Sequence, residues 1–358
     1  MHATSRDLKN WTKVPEDTFF ASEKYSSDDF RDSYVIYNEE YKQYWMLITT
    51  RQNNMGVIAL YTSEDLKKWK DEGVLFTNDM GSDSNMECPS LLKFKGYWYL
   101  SFSDQWPSRV VHYRMAKNSK GPFIKPALDH FDGNGFYAGR LEKASNQLYL
   151  FGWTPTKVNY DDIQNYDWAG NLVVHNINQK ENGELYPTPI EQITKKLNHS
   201  VQLSQLNSSE TVKIANKNYT FSGKDYESVT FSKLQGINKI TGEINLKAKT
   251  DRFGFMFNVG DKGKAPLNIM FNSKTNQLEF YNVFTDITTN AEPQSTMALK
   301  INEKGTLKFT LLLEDSVAVL YVNNEAVLST RMFALQNNKW GIFSMNSDII
   351  FSNIELNK

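Results

Sequence analysis

The chain has 358 residues, long enough for two domains that each bury a full core. Forty basic residues against forty-one acidic ones leave a net charge of −1, which excludes the electrostatic footprint of a nucleic-acid-binding or polybasic membrane-binding protein. The single cysteine, Cys88, excludes an internal disulfide and a cysteine-based zinc site, and no apolar run reaches the roughly 18 residues of a transmembrane span.

In chain order the first feature is HATSRDLKNW at residues 2–11, which returns as LYTSEDLKKW at 60–69 with Trp11 and Trp69 58 positions apart. Asp7 and Asp65 occupy the same place in the two strings and read as turn formers. Three longer segments then align. The first runs from FRDSYVIYNEEYKQYWMLITT through VIALYTSEDLKKW, the second from MECPSLLKFKGYWYLSFS through VVHYRMAKNSKGPF, and the third from FYAGRLEKASNQLYLFGWT through AGNLVVHNI. Arg31 to Glu87 is 56 positions and Glu87 to Tyr137 is 50. A period of roughly 50 residues holding three or four short strands is the signature of propeller blades. The opening string matches the tail of a unit, so the chain is expected to begin in the last strands of a blade. Three complete units and a tail do not close a ring, and the open strand edges would favour self-association.

The propeller pattern is expected over residues 1–188. The stretch ELYPTPIEQITKKLNH, with two prolines, reads as a connector over 189–200. From 201 to 358 the pattern is plain alternation, as in FGFMFNV, QLEFYNV, TLKFTLLLEDSVAVLYVNNEAVLS and WGIFSM. Leu307, Phe309, Leu311 and Leu313 point one way, while Glu314-Asp315 and Asn323-Asn324 mark turns. This argues a β-sandwich and makes the whole chain all-β.

The first strand of a propeller blade lines the central axis, so residues heading the repeat strands converge. Those residues are Asp32, Glu87, Tyr137 and Trp168. Paired carboxylates facing an uncharged ligand suit glycoside hydrolysis, one protonating the leaving oxygen and the other meeting positive charge on the sugar. Arg31 beside Asp32 favours its ionised form, and the apolar neighbours Cys88 and Pro89 favour the protonated form of Glu87. Taken singly, an Arg-Asp pair is more often a structural ion pair, and Tyr137, Trp153 and Trp168 would be packing aromatics. Their placement in a repeat is what selects them. The five histidines show no ligand spacing, so neither metal nor cofactor is expected.

FRDSYV, MECPSLL and GFYAGR resemble the Arg-Asp-Pro, Glu-Cys and Phe-Tyr-Ala motifs of glycoside hydrolase family 32, the β-fructofuranosidases. The resemblance implies a five-bladed β-propeller followed by a C-terminal β-sandwich, this chain holding the end of blade 2 and blades 3 to 5. It implies Asp32 as transition-state stabiliser and Glu87 as general acid/base, with Arg31, Cys88, Tyr137 and Trp168 shaping the pocket for sucrose, fructo-oligosaccharide, inulin or levan. Ser33 stands where the family motif has proline, and Met86 where many members have tryptophan. Family members carry an Asp nucleophile in a Trp-x-Asn-Asp-Pro-type motif that this sequence lacks, so the isolated chain is expected to be truncated and inactive. The alternatives are a family 43-like arabinofuranosidase or xylosidase, and a non-catalytic carbohydrate-binding remnant. A cytoplasmic location is expected, since no signal-peptide pattern opens the sequence.

Overall fold

The computed structural model describes residues 1–247, 249–261, 263–284, 291–301 and 305–358. The chain divides into two compact units, residues 1–129 with 138–143 and residues 130–137 with 144–358. Residues 144–188 of the third repeat thus fall in the second compact unit.

In the first unit, β1 (His2–Thr4) and β2 (Thr12–Val14) form an antiparallel pair. Strands β3 (Arg31–Asn38), β4 (Gln43–Gln52), β5 (Met55–Ser63) and β6 (Lys70–Thr77) form an antiparallel sheet in sequence order. Strands β7 (Met86–Phe94), β8 (Tyr97–Asp104) and β9 (Val111–Ala116) form a second. Period-2 alternation sends the side chains of β4 and β5 to two faces. Trp45, Leu47, Ile58 and Leu60 pack on one side with Met86 and Leu91 of β7 and with Trp98, Leu100 and Phe102 of β8. Ile48, Val57, Ala59 and Tyr61 pack on the other with Tyr25, Phe19 and Phe30. At about 1.5–3 kcal/mol for each large apolar side chain fully withdrawn from water, these two layers are what hold the sheet in place.

The repeated tail is a repeated structure. The Ser5 hydroxyl accepts the Leu8 N–H at 2.8 Å, and the Asp7 carboxylate accepts the N–H groups of Lys9 and Asn10 at 2.9 and 2.8 Å. Ser63 and Asp65 do the same for Leu66, Lys67 and Lys68 at 2.9, 2.8 and 2.9 Å. Leu8 and Leu66 both take left-handed backbone, φ 58° and 64°. Asp7 and Asp65 are thus turn formers, and these bonds hold both carboxyls below the usual range.

One glycine in the first unit is dictated by a close approach. A Cβ on Gly56, at the start of β5, would lie within the contact radius of the Ser84 carbonyl oxygen and 2.8 Å from its carbon. The absent side chain lets the Gly56 N–H bond Asp83 O at 3.2 Å and its carbonyl accept the Asn78 N–H at 3.0 Å, which seats the segment leading into β7. Farther along the same unit, His112 on β9 lies buried between Asp104 (3.3 Å) and Asp129 (3.1 Å), and Asp129 also receives Arg114 at 2.7 Å and Lys125 at 3.6 Å.

Strand β10 (Tyr137–Ala144) is divided between the units by residue. In the second unit, β11 (Gln147–Lys157), β12 (Tyr166–Gln179) and β13 (Leu185–Thr188) pair antiparallel in that order. A one-and-a-half-turn helix follows at Glu191–Lys196, and Ser200–Val201 already pairs with Asn357 and Leu356 of the last strand. The remaining strands form a seven-stranded and an eight-stranded sheet. Their inner faces meet where Phe255 packs on Phe309 (4.9 Å) and Phe351 (5.9 Å). Leu307, Phe309, Leu311 and Leu313 are buried along Gly305–Glu314, and Asp315, Asn323 and Asn324 turn the chain with φ of 49°, 53° and 53°. Among the described residues no helix is long and apolar enough to cross a membrane.

Candidate active site

Strands β3 and β7 open with the same irregularity. Arg31 pairs with Thr49 and Tyr34 with Leu47, so three steps along β3 face two along β4. Glu87 pairs with Ser103 and Ser90 with Ser101, again three steps against two. Each is a bulge whose extra residue takes left-handed backbone, Asp32 at φ 59° and Cys88 at φ 50°. Glycine usually fills such a position, and a residue with a side chain held there costs on the order of 1 kcal/mol or more. The third first strand, β10, shows the same conformation at Ala138, φ 54°. The equivalent residues are therefore Arg31, Glu87 and Tyr137, each followed by a left-handed residue. Asp32 sits one position later than Glu87 in its repeat, which corrects the sequence-derived alignment of the two carboxylates. Trp168 is corrected too, because it lies on β12, the third strand of its repeat, beside left-handed Ala169 at φ 57°.

Within the first unit the Asp32 carboxylate nonetheless meets the strand that carries Glu87. Asp32 Oδ2 accepts the Cys88 N–H at 3.0 Å and lies 3.8 Å from Cys88 Sγ, so the Asp32 carboxylate sits against the residue that follows Glu87. Arg31 Nη2 donates to Glu87 Oε1 at 2.8 Å, and Arg31 Nη1 bonds the Asp29 carboxylate. Arg31 therefore pairs with Glu87 and Asp29 rather than with its chain neighbour Asp32, contrary to the expectation from adjacency. Burial alone would lower the Arg31 pKa, but the bonds to Glu87 and Asp29 outweigh it and raise it, so the guanidinium is a fixed cation. The Glu87 side chain is only 8% exposed, which makes this ion pair less screened than a surface one. Burial, followed by the nearby Asp32 charge, pushes the Cys88 thiol up to about 11 and keeps it a neutral thiol at ordinary pH.

Several residues of the site carry no signal in their local sequence. Arg140 on β10 donates to the Asp32 carbonyl at 3.4 Å and lies over the Tyr34 ring at 5.6 Å, fixing the backbone of the bulge. Thr49 on β4 donates to the Met86 carbonyl at 2.7 Å, just before Glu87. Asn85 donates to Asp29 and Gln105, both at 3.1 Å, and accepts Arg51 at 2.8 Å. Arg51 in turn reaches the Asp83 carboxylate at 3.1 Å, which accepts the Trp106 indole N–H at 3.0 Å. Arg51 also lies 5.7 Å from the Trp106 ring centroid, and the ring remains 38% exposed. A continuous polar chain therefore runs from Glu87 to a half-exposed aromatic plane.

A cavity of about 560 Å3 in the first unit has Arg31, Asp32 and Ser33 in its wall together with Phe30, Met46 and Ile48, but not Glu87 or Cys88. The hollow and the carboxylate pair thus coincide only in part. In the second unit Tyr137, Trp153 and Trp168 form a triad with ring centroids 5.4–5.5 Å apart. Tyr137 is buried while Trp168 is 57% exposed. Among the described residues no group of three or more His, Cys, Asp or Glu side chains is arranged to hold a metal.

Comparison with known proteins identifies the scaffold. Residues 1–189 match the glycosyl hydrolases family 32 N-terminal domain, and residues 185–356 match the GH32, BT1760-like, C-terminal domain. A sucrose-6-phosphate hydrolase from Vibrio alginolyticus is 22% identical over 57% of this chain and 48% of its own length, so the chain spans about half of that curated relative. The GH32 β-fructofuranosidase of Bombyx mori superposes with a TM-score of 0.68 at 17% identity, over 99% of this chain and 71% of that one. A sucrose-6-phosphate hydrolase from Lactobacillus gasseri superposes with a TM-score of 0.69 at 20% identity, also over 99% and 71%. These likenesses give the fold, propeller blades followed by a β-sandwich. With both domain matches in sequence order and covering nearly the whole chain, the chain belongs to glycosyl hydrolase family 32.

Proposed function

We propose that this chain carries the acid/base part of a β-fructofuranosidase site that acts by a retaining mechanism on sucrose, fructo-oligosaccharides, inulin or levan. The observation that carries the reading is the pair of matched bulges that set Asp32 against the Cys88 N–H and Glu87 against Arg31. Glu87 gives its proton to the glycosidic oxygen as the bond to the fructosyl carbon breaks, so the leaving sugar departs as a neutral alcohol. Glu87, now a carboxylate beside the Arg31 cation, removes a proton from the incoming water in the second step. Asp32, fixed by the Cys88 N–H, accepts hydrogen bonds from fructosyl hydroxyls that strengthen as positive charge develops on the ring. Trp106 offers a plane to sugar on the leaving side. The covalent step needs a carboxylate nucleophile, for which we assign no residue.

The test is turnover of the natural gene product. Glu87→Gln is expected to lose about 10²–10⁴-fold in sucrose or fructan hydrolysis, the usual worth of a positioned acid/base group, and unchanged turnover would remove Glu87 from the mechanism. Family membership favours release of fructose over the arabinose or xylose expected of the family 43-like alternative.

A further inference from the structure

The second unit contains an open cavity of about 490 Å3 walled by the β11–β12 connection and by sandwich residues, including Tyr160, Asp161, Asn258, Asn282 and Phe333. Tyr160 projects into solvent at 71% exposure. Such a ring contributes little to folding by burial, yet the chain holds it in strained backbone. Asn159 and Tyr160 have φ of 56° and 55°, and Asn258 across the cavity has φ 58°. Asparagine tolerates left-handed backbone, whereas a bulky aromatic there is an outlier that the surroundings must over-determine.

The surroundings do so. The Asp162 carboxylate accepts the N–H groups of Phe333 and Ala334, both at 2.8 Å, and the Asp162 carbonyl accepts Lys157 Nζ at 2.9 Å and the Asn282 amide at 3.0 Å. The Tyr160 ring meets Phe333 edge-on at 5.7 Å, so its orientation is fixed from one side while its face stays in water. Asp161, Asn258 and Asn282 line the same cavity and bring hydrogen-bonding groups to it. Among the described residues the cavity wall carries no cation; Lys157 is buried and committed to Asp162, Arg331 beneath Phe333 is committed to the Pro155 and Thr154 carbonyls, and the two carboxylates of the wall disfavour a phosphate or other anion. An exposed aromatic plane rimmed by amides and a carboxylate fits a neutral sugar, whose C–H face stacks on the ring while its hydroxyls reach the polar rim.

We propose that this cavity is a second, non-catalytic saccharide-binding site that takes a neutral oligosaccharide, with Tyr160 as its stacking plane. The site belongs wholly to the second unit and does not rest on the reading of Glu87.

The test is calorimetric binding of inulin- and levan-type oligosaccharides, with cello- and xylo-oligosaccharides alongside, to the full chain. Tyr160→Ala is expected to weaken binding at least ten-fold, Tyr160→Phe to retain it, and Glu87→Gln to leave the Tyr160-dependent component intact. Because Tyr160 is exposed, the variants should fold as the parent does. Tyr160→Gly relieves the left-handed strain, so it is expected to raise the melting temperature while losing the sugar. Binding by Tyr160→Ala equal to that of the parent, or no binding of any of the four saccharides at millimolar concentration, would overturn the proposal. Loss of binding only in Glu87→Gln would place the ligand in the first unit and also overturn it.

Discussion

Replacing Gly56 by alanine tests how the segment ahead of Glu87 is seated. The new Cβ would meet the Ser84 carbonyl, a backbone group that cannot swing aside as a side-chain end would. Strand β5 and residues 83–85 must then separate, giving up the Gly56–Asp83 and Asn78–Gly56 hydrogen bonds. Two backbone bonds at about 1 kcal/mol each, with about 1–3 kcal/mol for overpacking, predict a loss of about 3–5 kcal/mol. The same separation pulls Asn85 away from Arg51 and Asp29, so activity should fall even under conditions where the variant remains folded. Urea unfolding followed by tryptophan fluorescence measures the first effect, and turnover below the transition measures the second. A Gly56→Ala protein within about 1 kcal/mol of the parent, with normal activity, would refute the close-approach argument.

Three titrations follow from the buried groups. The alkylation rate of Cys88 should inflect near pH 11 instead of near the roughly 8.5 of a free thiol, and Asp32→Asn should bring the inflection down; an ordinary inflection in the parent contradicts the Cys88–Asp32 contact. Burial lowers the Lys157 amine to about 8, so the folded state binds fewer protons than the unfolded one between about pH 8 and 10.5, and stability should rise with pH across that window. Lys157→Met should flatten that rise, and an unaltered pH dependence of unfolding would show that Lys157 keeps its full charge. Burial lowers His112, but bonds to Asp104 and Asp129 outweigh it and raise its pKa above that of the unfolded chain. Its stabilisation is therefore complete below about pH 6.5 and fades as pH rises through the higher folded value, so His112→Gln should cost more stability at pH 6 than at pH 9.

The repeat was legible because the tail string, the aromatic second strands and the alternation of residues 305–313 each have a period that burial enforces. In the site, Arg31, Asp32, Glu87 and Cys88 stood out by motif, yet their pairing did not. Left-handed backbone is usually announced by glycine, and here Asp32, Cys88 and Ala138 adopt it without one, which hid the one-residue offset between the carboxylates. Asn85, Arg140 and Trp106 were invisible for another reason: each acts through partners 20 to more than 100 positions away.

The heads of β3, β7 and β10 repeat one backbone kink, each with a different side chain in front of it. Arginine, glutamate and tyrosine occupy one backbone slot, so a cation, an acid and an aromatic wall are interchangeable at the level of the frame. The backbone frame tolerates exchange at a slot, but Arg31 is held by Glu87 and Asp29, so a change at the first slot would be felt at the second through charge rather than through the chain.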